Sequence, residues 1–215
     1  MKKKTLWSCV GLLVVLVLGL VGWYHWNPVT AESTTTTLPN TVASSDTAKL
    51  ATRKSHKVLV VYYSAQGHTA EVAKAIIQAT GADSCELQPK NAYTAADLNY
   101  RDSGSRVVRE HDSPSLQKIP LVKSTPDNWQ SYDVVFVGYP IWWGLAAWPV
   151  NEFITSNSFE GKTVIPFATS ISSGFGQSGA ILAKLAGTGQ WKNGMRFSSN
   201  ASPDEVHQWV KGLGL

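Results

Sequence analysis

The sequence predicts a doubly wound α/β fold, in which helices cover both faces of a five-stranded parallel sheet. Three short runs, at residues 56–64, 132–140 and 162–170, are apolar and rich in β-branched and aromatic residues, as is typical of strands buried on both faces. Segments with helical spacing separate these runs, and strands that alternate with helices indicate parallel pairing. The length of 215 residues, with 43% hydrophobic and 16% charged residues, favours one globular domain with an appendage.

The other elements continue the same alternation along the chain. Gly81 marks the end of the first helix, and Ser202 and Pro203 suit the cap and first position of the last one. Residues 91–128 are polar, and the one element that their pattern indicates is a short helix. The predicted order is strand 56–64, helix 69–81, strand 84–90, helix 103–111, strand 132–140, helix 146–157, strand 162–170, helix 176–187, strand 194–199 and helix 202–214.

Residues 1–27 form a basic and then apolar segment that predicts membrane insertion or export. "MKKK" precedes an uncharged run that ends before His25 and is close to the roughly 20 residues that a helix needs to cross a bilayer. We expect a single-pass signal-anchor, with the domain on the extracytoplasmic side of the cell membrane. The alternative is a signal peptide cleaved near Ala31 and a secreted domain. The Thr/Ser-rich residues 28–55 form a linker to the globular domain, residues 56–215.

The distribution of charge and cysteine excludes several classes of partner. The net charge of +4 comes from basic residues that precede the domain, because residues 57–215 contain thirteen Lys and Arg and thirteen Asp and Glu. We therefore expect no nucleic-acid partner. Cys9 lies in the apolar segment and Cys85 in the domain, so the sequence predicts neither a disulfide framework nor a metal site with zinc-ligand spacing.

The loop "SAQGHT", residues 64–69, joins the first strand to the first helix and suits a phosphate. A helix N-terminus presents unpaired N–H groups and a partial positive charge. Gly67 allows close approach of the backbone, and Ser64 and Thr69 add hydroxyl donors. The loop contains no Lys, so it is not the loop that binds nucleoside triphosphates.

The stretch "PIWWG", residues 140–144, follows the third predicted strand. In doubly wound sheets, ligands bind at the carboxyl ends of the strands, so these rings are predicted to share an edge with the phosphate loop. Large rings there can sandwich a flat conjugated ligand, and "TSISSGFGQSG", residues 169–179, adds hydroxyls and flexible backbone. A ligand with one terminal phosphate and one flat polycycle fits all three segments, and FMN is such a ligand. Trp148 is expected to belong to the core instead.

These motifs resemble the flavodoxins, and the similarity covers residues 57–215. The family pattern S-x-T-G-N-T is present as "SAQGHT", with departures at Gln66 and His68, and "PIWWG" is similar to a bacterial flavodoxin-like subgroup. The resemblance implies a flavodoxin-like sheet of order 2-1-3-4-5 and an FMN cofactor. The residues that the resemblance implies for the phosphate are Ser64, Gln66, Gly67, His68 and Thr69. Those that it implies at the border of the isoalloxazine are Pro140, Ile141, Trp142, Trp143 and Gly144. Those that it implies in the lining of the third loop are Thr169, Ser170, Ser173 and Gly174.

Other functions remain as alternatives, and the sequence supports some of them better than others. "GFGQSG", residues 174–179, matches a dinucleotide fingerprint but follows a late strand, and Ser178 lacks the second glycine of a hydrolase elbow. No acid/base candidate accompanies the three loops except His68, which is assigned to phosphate, so we predict no catalytic residue and favour electron transfer to a redox partner protein or a small-molecule acceptor. The alternatives are an FMN-dependent reductase of quinone-like acceptors and a flavin-free binding module.

Overall fold

A computed structural model of the protein describes residues 56–215, which form an α/β domain. Its strands are β1 (Val58–Tyr62), β2 (Asp83–Glu86), β3 (Val134–Trp142), β4 (Leu145–Ala146), β5 (Thr163–Ser170), β6 (Gln190–Trp191) and β7 (Met195–Ser198). Its α-helices are α1 (His68–Thr80), α2 (Arg106–Asp112), α3 (Pro149–Ser156), α4 (Ser178–Ala186) and α5 (Pro203–Gly212), with 3-10 turns at Pro114–Gln117 and Trp129–Ser131. No helix of this part of the chain is long and apolar enough to cross a bilayer. The predicted membrane segment and linker lie outside the described residues.

The sheet has the predicted parallel order. Its strands run β2-β1-β3-β5, and β6 and β7 both pair with β5 in parallel and so share the fifth place. The expected edge strand at residues 194–199 is observed as β7. The antiparallel strand β4 beside β3 was not predicted from the sequence.

Apolar side chains cover both faces of the sheet, which confirms the doubly wound arrangement. On one face, α1 and α5 pack their buried residues against alternate residues of β1, β3 and β5. On the other face, α3 and α4 do the same with the intervening residues of these strands. Ser202 caps α5 by accepting a hydrogen bond from the backbone N–H of Glu205, with Pro203 in the first turn, as the sequence predicts.

A buried polar network organises the segment between β2 and β3. The Arg106 Nε donates to Glu110 Oε1 at 2.7 Å, and the Tyr93 hydroxyl donates to Glu110 Oε2 at 2.6 Å. The Arg106 guanidinium also lies 3.8 Å from the centre of the Tyr93 ring. Burial and the hydrogen bond to Glu110 raise the pKa of the Tyr93 hydroxyl well above its usual range. Glu110 is itself buried, since only 4% of this residue is exposed.

Trp148 is a core residue, as predicted, with 1% of its surface exposed. Its ring contacts Trp142 edge-on at 5.5 Å and stacks on Trp143 at 6.2 Å, measured between centroids. Its indole Nε1 is buried and has no hydrogen-bond partner among the described residues. Trp148 therefore stabilises the domain through packing and supports both tryptophans of "PIWWG".

We expect Trp148→Ala to lower the free energy of unfolding by about 3–5 kcal/mol, because it removes a fully buried ring and leaves a cavity. Trp143→Ala is the matched control, since 43% of Trp143 is exposed. Its cost should be at most about 1 kcal/mol. Urea unfolding monitored by far-UV circular dichroism measures both values, and equal losses would contradict the difference in packing.

We expect Glu110→Ala to destabilise the domain by about 3 kcal/mol, since it leaves Arg106 without its carboxylate. This is the low end of the range for a broken buried ion pair, because the Arg106 side chain retains 20% exposure. Asp112→Ala on the same helix removes an exposed carboxylate, 67% accessible, and should cost less than about 1 kcal/mol. A loss for Glu110→Ala no larger than that for Asp112→Ala would contradict a stabilising role of the network.

Candidate functional site

A cleft of about 360 Å³ lies at the carboxyl edge of the sheet, where β1, β3 and β5 end. Parallel pairing brings these strand ends together, as expected for ligand sites in doubly wound sheets. Gly67, Gly144 and Gly174 are not among the lining residues, although each adjoins one. Eleven of the fourteen predicted binding residues line the cleft: Ser64, Gln66, His68, Thr69, Pro140, Ile141, Trp142, Trp143, Thr169, Ser170 and Ser173.

The loop between β1 and α1 has the backbone geometry of an anion site. Gly67 has φ 90°, a left-handed conformation that suits glycine. The Ala70 N–H donates to the Ser64 Oγ at 3.2 Å, and the Glu71 N–H donates to the Gly67 carbonyl at 3.0 Å. Within residues 56–215 the N–H groups of residues 66–69 have no hydrogen-bond partner. The start of α1 therefore presents free donors and a partial positive charge to the cleft.

Two buried hydroxyls join the first and third loops of the cleft. Thr69 Oγ1 and Thr169 Oγ1 lie 2.8 Å apart, and both residues are almost fully buried. One hydroxyl of the pair must donate to the other, so the accepting hydroxyl keeps its own hydrogen for a further acceptor. The predicted hydroxyl donors thus act as a pair that connects α1 to β5.

"PIWWG" forms a tight hairpin instead of the loop that the sequence suggested. Ile141 and Trp142 continue β3 beyond the end of the parallel pairing, and β4 returns antiparallel to them. The two residues between these strands, Trp143 and Gly144, have φ 47° and 79°. Positive φ at both central positions is the signature of a type I′ turn, which matches the twist of two-stranded ribbons. The hairpin fixes both tryptophans by backbone geometry.

Trp142 and Trp143 have different surroundings, although both line the cleft. Trp142 is half-buried and meets Tyr63 and Tyr93 edge-on, with centroids 5.8 Å and 5.3 Å away. Trp143 keeps 43% of its surface exposed, and His111 stacks on it at 4.4 Å with an angle of 23° between the rings. This contact could not be predicted from the sequence, because nothing in the spacing of His111 relates it to the hairpin.

The loop after β5 is held by a residue that the sequence analysis did not select, Arg196 of β7. Its Nε donates to the Ser170 Oγ at 2.9 Å, and its Nη2 donates to the backbone carbonyls of Ser170 and Ile171 at 2.8 Å and 3.0 Å. The Ser170 hydroxyl in turn donates to the Ser173 carbonyl. Arg196 could have been noticed only after the pairing of β7 with β5 was known.

The segment between β2 and β3 supplies three further lining residues, Leu98, Tyr100 and Val107. Tyr100 is 65% exposed and brings another ring to the cleft. None of the residues that line the cleft is Asp, Glu, Lys or Arg. The described residues also contain no group of three or more His, Cys, Asp or Glu that could hold a metal ion.

Cavity size alone does not identify this cleft. A larger cavity, of about 1020 Å³, lies where α1 and α5 end and includes His56 and His207. It contains none of the predicted binding residues, and it lies beside the start of β1 at Val58. The cleft at the carboxyl edge is distinguished by its free backbone donors and exposed rings, which are the features that position a ligand.

Comparisons with known proteins agree with this architecture. The family model described as flavodoxin matches residues 57–213. A crystal structure of a candidate flavoprotein from Bacteroides eggerthii is 38% identical, covers 74% of this chain and 99% of its own, and has a TM-score of 0.67. One from Bacteroides uniformis is 40% identical, with 73% and 98% coverage and the same TM-score of 0.67.

A more distant structure shows the same fold. It is a Lactobacillus acidophilus flavoprotein in complex with FMN, 20% identical, with coverage of 72% and 98% and a TM-score of 0.52. A search of the curated proteins finds no match. Because the family model spans most of the 215 residues, this chain belongs to the flavodoxin family.

Proposed function

We propose that this protein binds FMN in the cleft and transfers electrons through it, to a redox partner protein or a small-molecule acceptor. The observation that carries the proposal is the meeting of free backbone donors and exposed aromatic rings in one cleft. The FMN complex of the Lactobacillus acidophilus flavoprotein, which has the same fold, supports the choice of cofactor. Bound FMN would supply the electron exchange, and the protein would supply binding and electrostatics.

The start of α1 fits the phosphate of FMN. Four free N–H groups, the partial charge of a 13-residue helix and the unfilled donor of the Thr69–Thr169 pair converge there. A phosphate bound in this way requires no Lys or Arg, which is consistent with a cleft that contains neither. Ser64, Gln66, Gly67, His68 and Thr69 are the residues proposed to surround it.

The rings at the other end of the cleft fit an isoalloxazine. Trp143 has the larger exposed surface and is fixed by a tight turn, while Trp142 is held edge-on by its neighbours. His111 and Trp148 both stack on the Trp143 ring, so a flat ligand would contact the part of this side chain that stays exposed, 43% of its surface. The lining residues include no carboxylate, and this favours electron transfer over acid/base catalysis by the protein.

The phosphate assignment is tested by comparing two ligands. We expect Ser64→Ala combined with Thr69→Ala to weaken FMN binding at least tenfold and riboflavin binding much less, because the hydroxyls act on the phosphate and each hydrogen bond to a charged group is worth about 1.5–3 kcal/mol. Fluorescence titration of the full chain measures both dissociation constants.

The matched control is Ser199→Ala, which removes a hydroxyl from the same cleft outside the phosphate loop. It should affect FMN and riboflavin equally. An equal loss of both ligands in the double variant would show that this loop does not hold the phosphate, and no binding of FMN to the wild-type protein would refute the proposed cofactor.

We also propose that the protein is tethered to the cell membrane by residues 1–27, with the domain on the extracytoplasmic side. The proposal rests on the three lysines before the uncharged run and on the Thr/Ser-rich stretch that follows it. Protease added to intact cells should release the domain by cleavage within residues 31–55. Protection of the domain until the cells are lysed would contradict this orientation, and a domain found in the medium would indicate the secreted alternative.

A further inference from the structure

The cleft is lined without charged side chains, although the domain that forms it contains many. Residues 57–215 contain thirteen acidic and thirteen basic side chains, yet none of them lines the cleft. The carboxylates of the neighbouring segment are directed into local contacts: Glu110 pairs with Arg106, Asp97 accepts two hydrogen bonds from Thr94, and Asp102 accepts one from the Gly104 N–H. A ligand in this cleft therefore meets no lining carboxylate.

Arg196 is the one formally charged side chain, among the described residues, that forms hydrogen bonds with a residue lining the cleft. All three of its hydrogen bonds go to oxygen atoms of Ser170 and Ile171, at 2.8–3.0 Å. Both of these residues line the cleft. The planar guanidinium is pre-organised for such forked contacts, so the charge is held in a fixed place.

The charge of Arg196 is not offset by a carboxylate within residues 56–215. Among the described residues, Arg196 forms no ion pair with Asp or Glu, and the three oxygen atoms that accept its hydrogen bonds are neutral. A partly buried cation with neutral partners raises the electrostatic potential of its surroundings. That effect reaches the cleft through the loop of residues 170–173.

We propose that Arg196 is a positioning residue that raises the reduction potential of the bound cofactor, an inference that rests on the proposed binding of FMN. Reduction of FMN by two electrons, with uptake of one proton, adds one negative charge to its ring system. Arg196 stabilises that added charge from behind the post-β5 loop, and the absence of lining carboxylates leaves the stabilisation unopposed. The residue does not contact the reacting atoms; it acts through the loop.

The test compares the two-electron midpoint potential of FMN bound to full-length variants, reduced by dithionite with indicator dyes at pH 7. In R196Q and in R196M, the ratio of affinities for reduced and oxidised FMN should fall about tenfold. This corresponds to a decrease of about 30 mV in the midpoint potential of a two-electron couple. R196K, which retains the charge, should lose less.

Two further variants test whether the potential depends on charge at the cleft, and not on charge elsewhere in the domain. Lys211→Gln removes a cation beside the cavity at the ends of α1 and α5 and should leave the potential unchanged. Ser172→Asp introduces a carboxylate at an exposed lining position and should lower the potential.

The outcomes are distinct for the two proposals. The inference is overturned if R196Q and R196M bind FMN with the wild-type potential, if R196K falls as far as they do, or if Ser172→Asp has no effect. If wild-type protein fails to bind FMN in the preceding titration, it is the proposed function that fails.

Discussion

The parallel pairing of β1 with β3, and of β3 with β5, determines where every candidate binding residue lies. Each pair is in a register that ends at the same edge, so Tyr62 faces Gly138 and Pro140 faces Thr169. The three loops that follow these strands must then converge, although up to about a hundred residues separate them in sequence. The contact between the Thr69 and Thr169 hydroxyls is the direct result, because it joins residues 100 positions apart.

The "PIWWG" hairpin also lies at this edge of the sheet. Because β3 extends past its parallel neighbours, it projects two tryptophans beyond the sheet, and β4 supports them from behind. Trp148 then lies beneath both rings as a core residue. The nine residues from Pro140 to Trp148 therefore supply both a ligand surface and its packing support, and this explains why tryptophans occur there so densely.

The sequence was sufficient to predict features that depend on local periodicity or on capping. Buried strands, amphipathic helices and the Ser202 cap all have signals within a few residues, and the alternation of elements then implied the sheet order. The contributions of Arg196, Tyr100 and His111 could not be predicted in this way. Tyr100 lies in an irregular segment, and Arg196 and His111 contact lining residues through long-range pairing and packing, none of which leaves a periodic signal.

Charge explains how a neutral domain can provide a site for an anion. The exposed Lys123–Asp127 ion pair between β2 and β3 is local and solvated, so its field is screened. The field within the cleft instead comes from two fixed sources: the N-terminus of α1 at one loop and Arg196 behind another. Both sources are positive and both are anchored to strand ends. An anion would therefore be stabilised in the cleft without any charged side chain in contact with it.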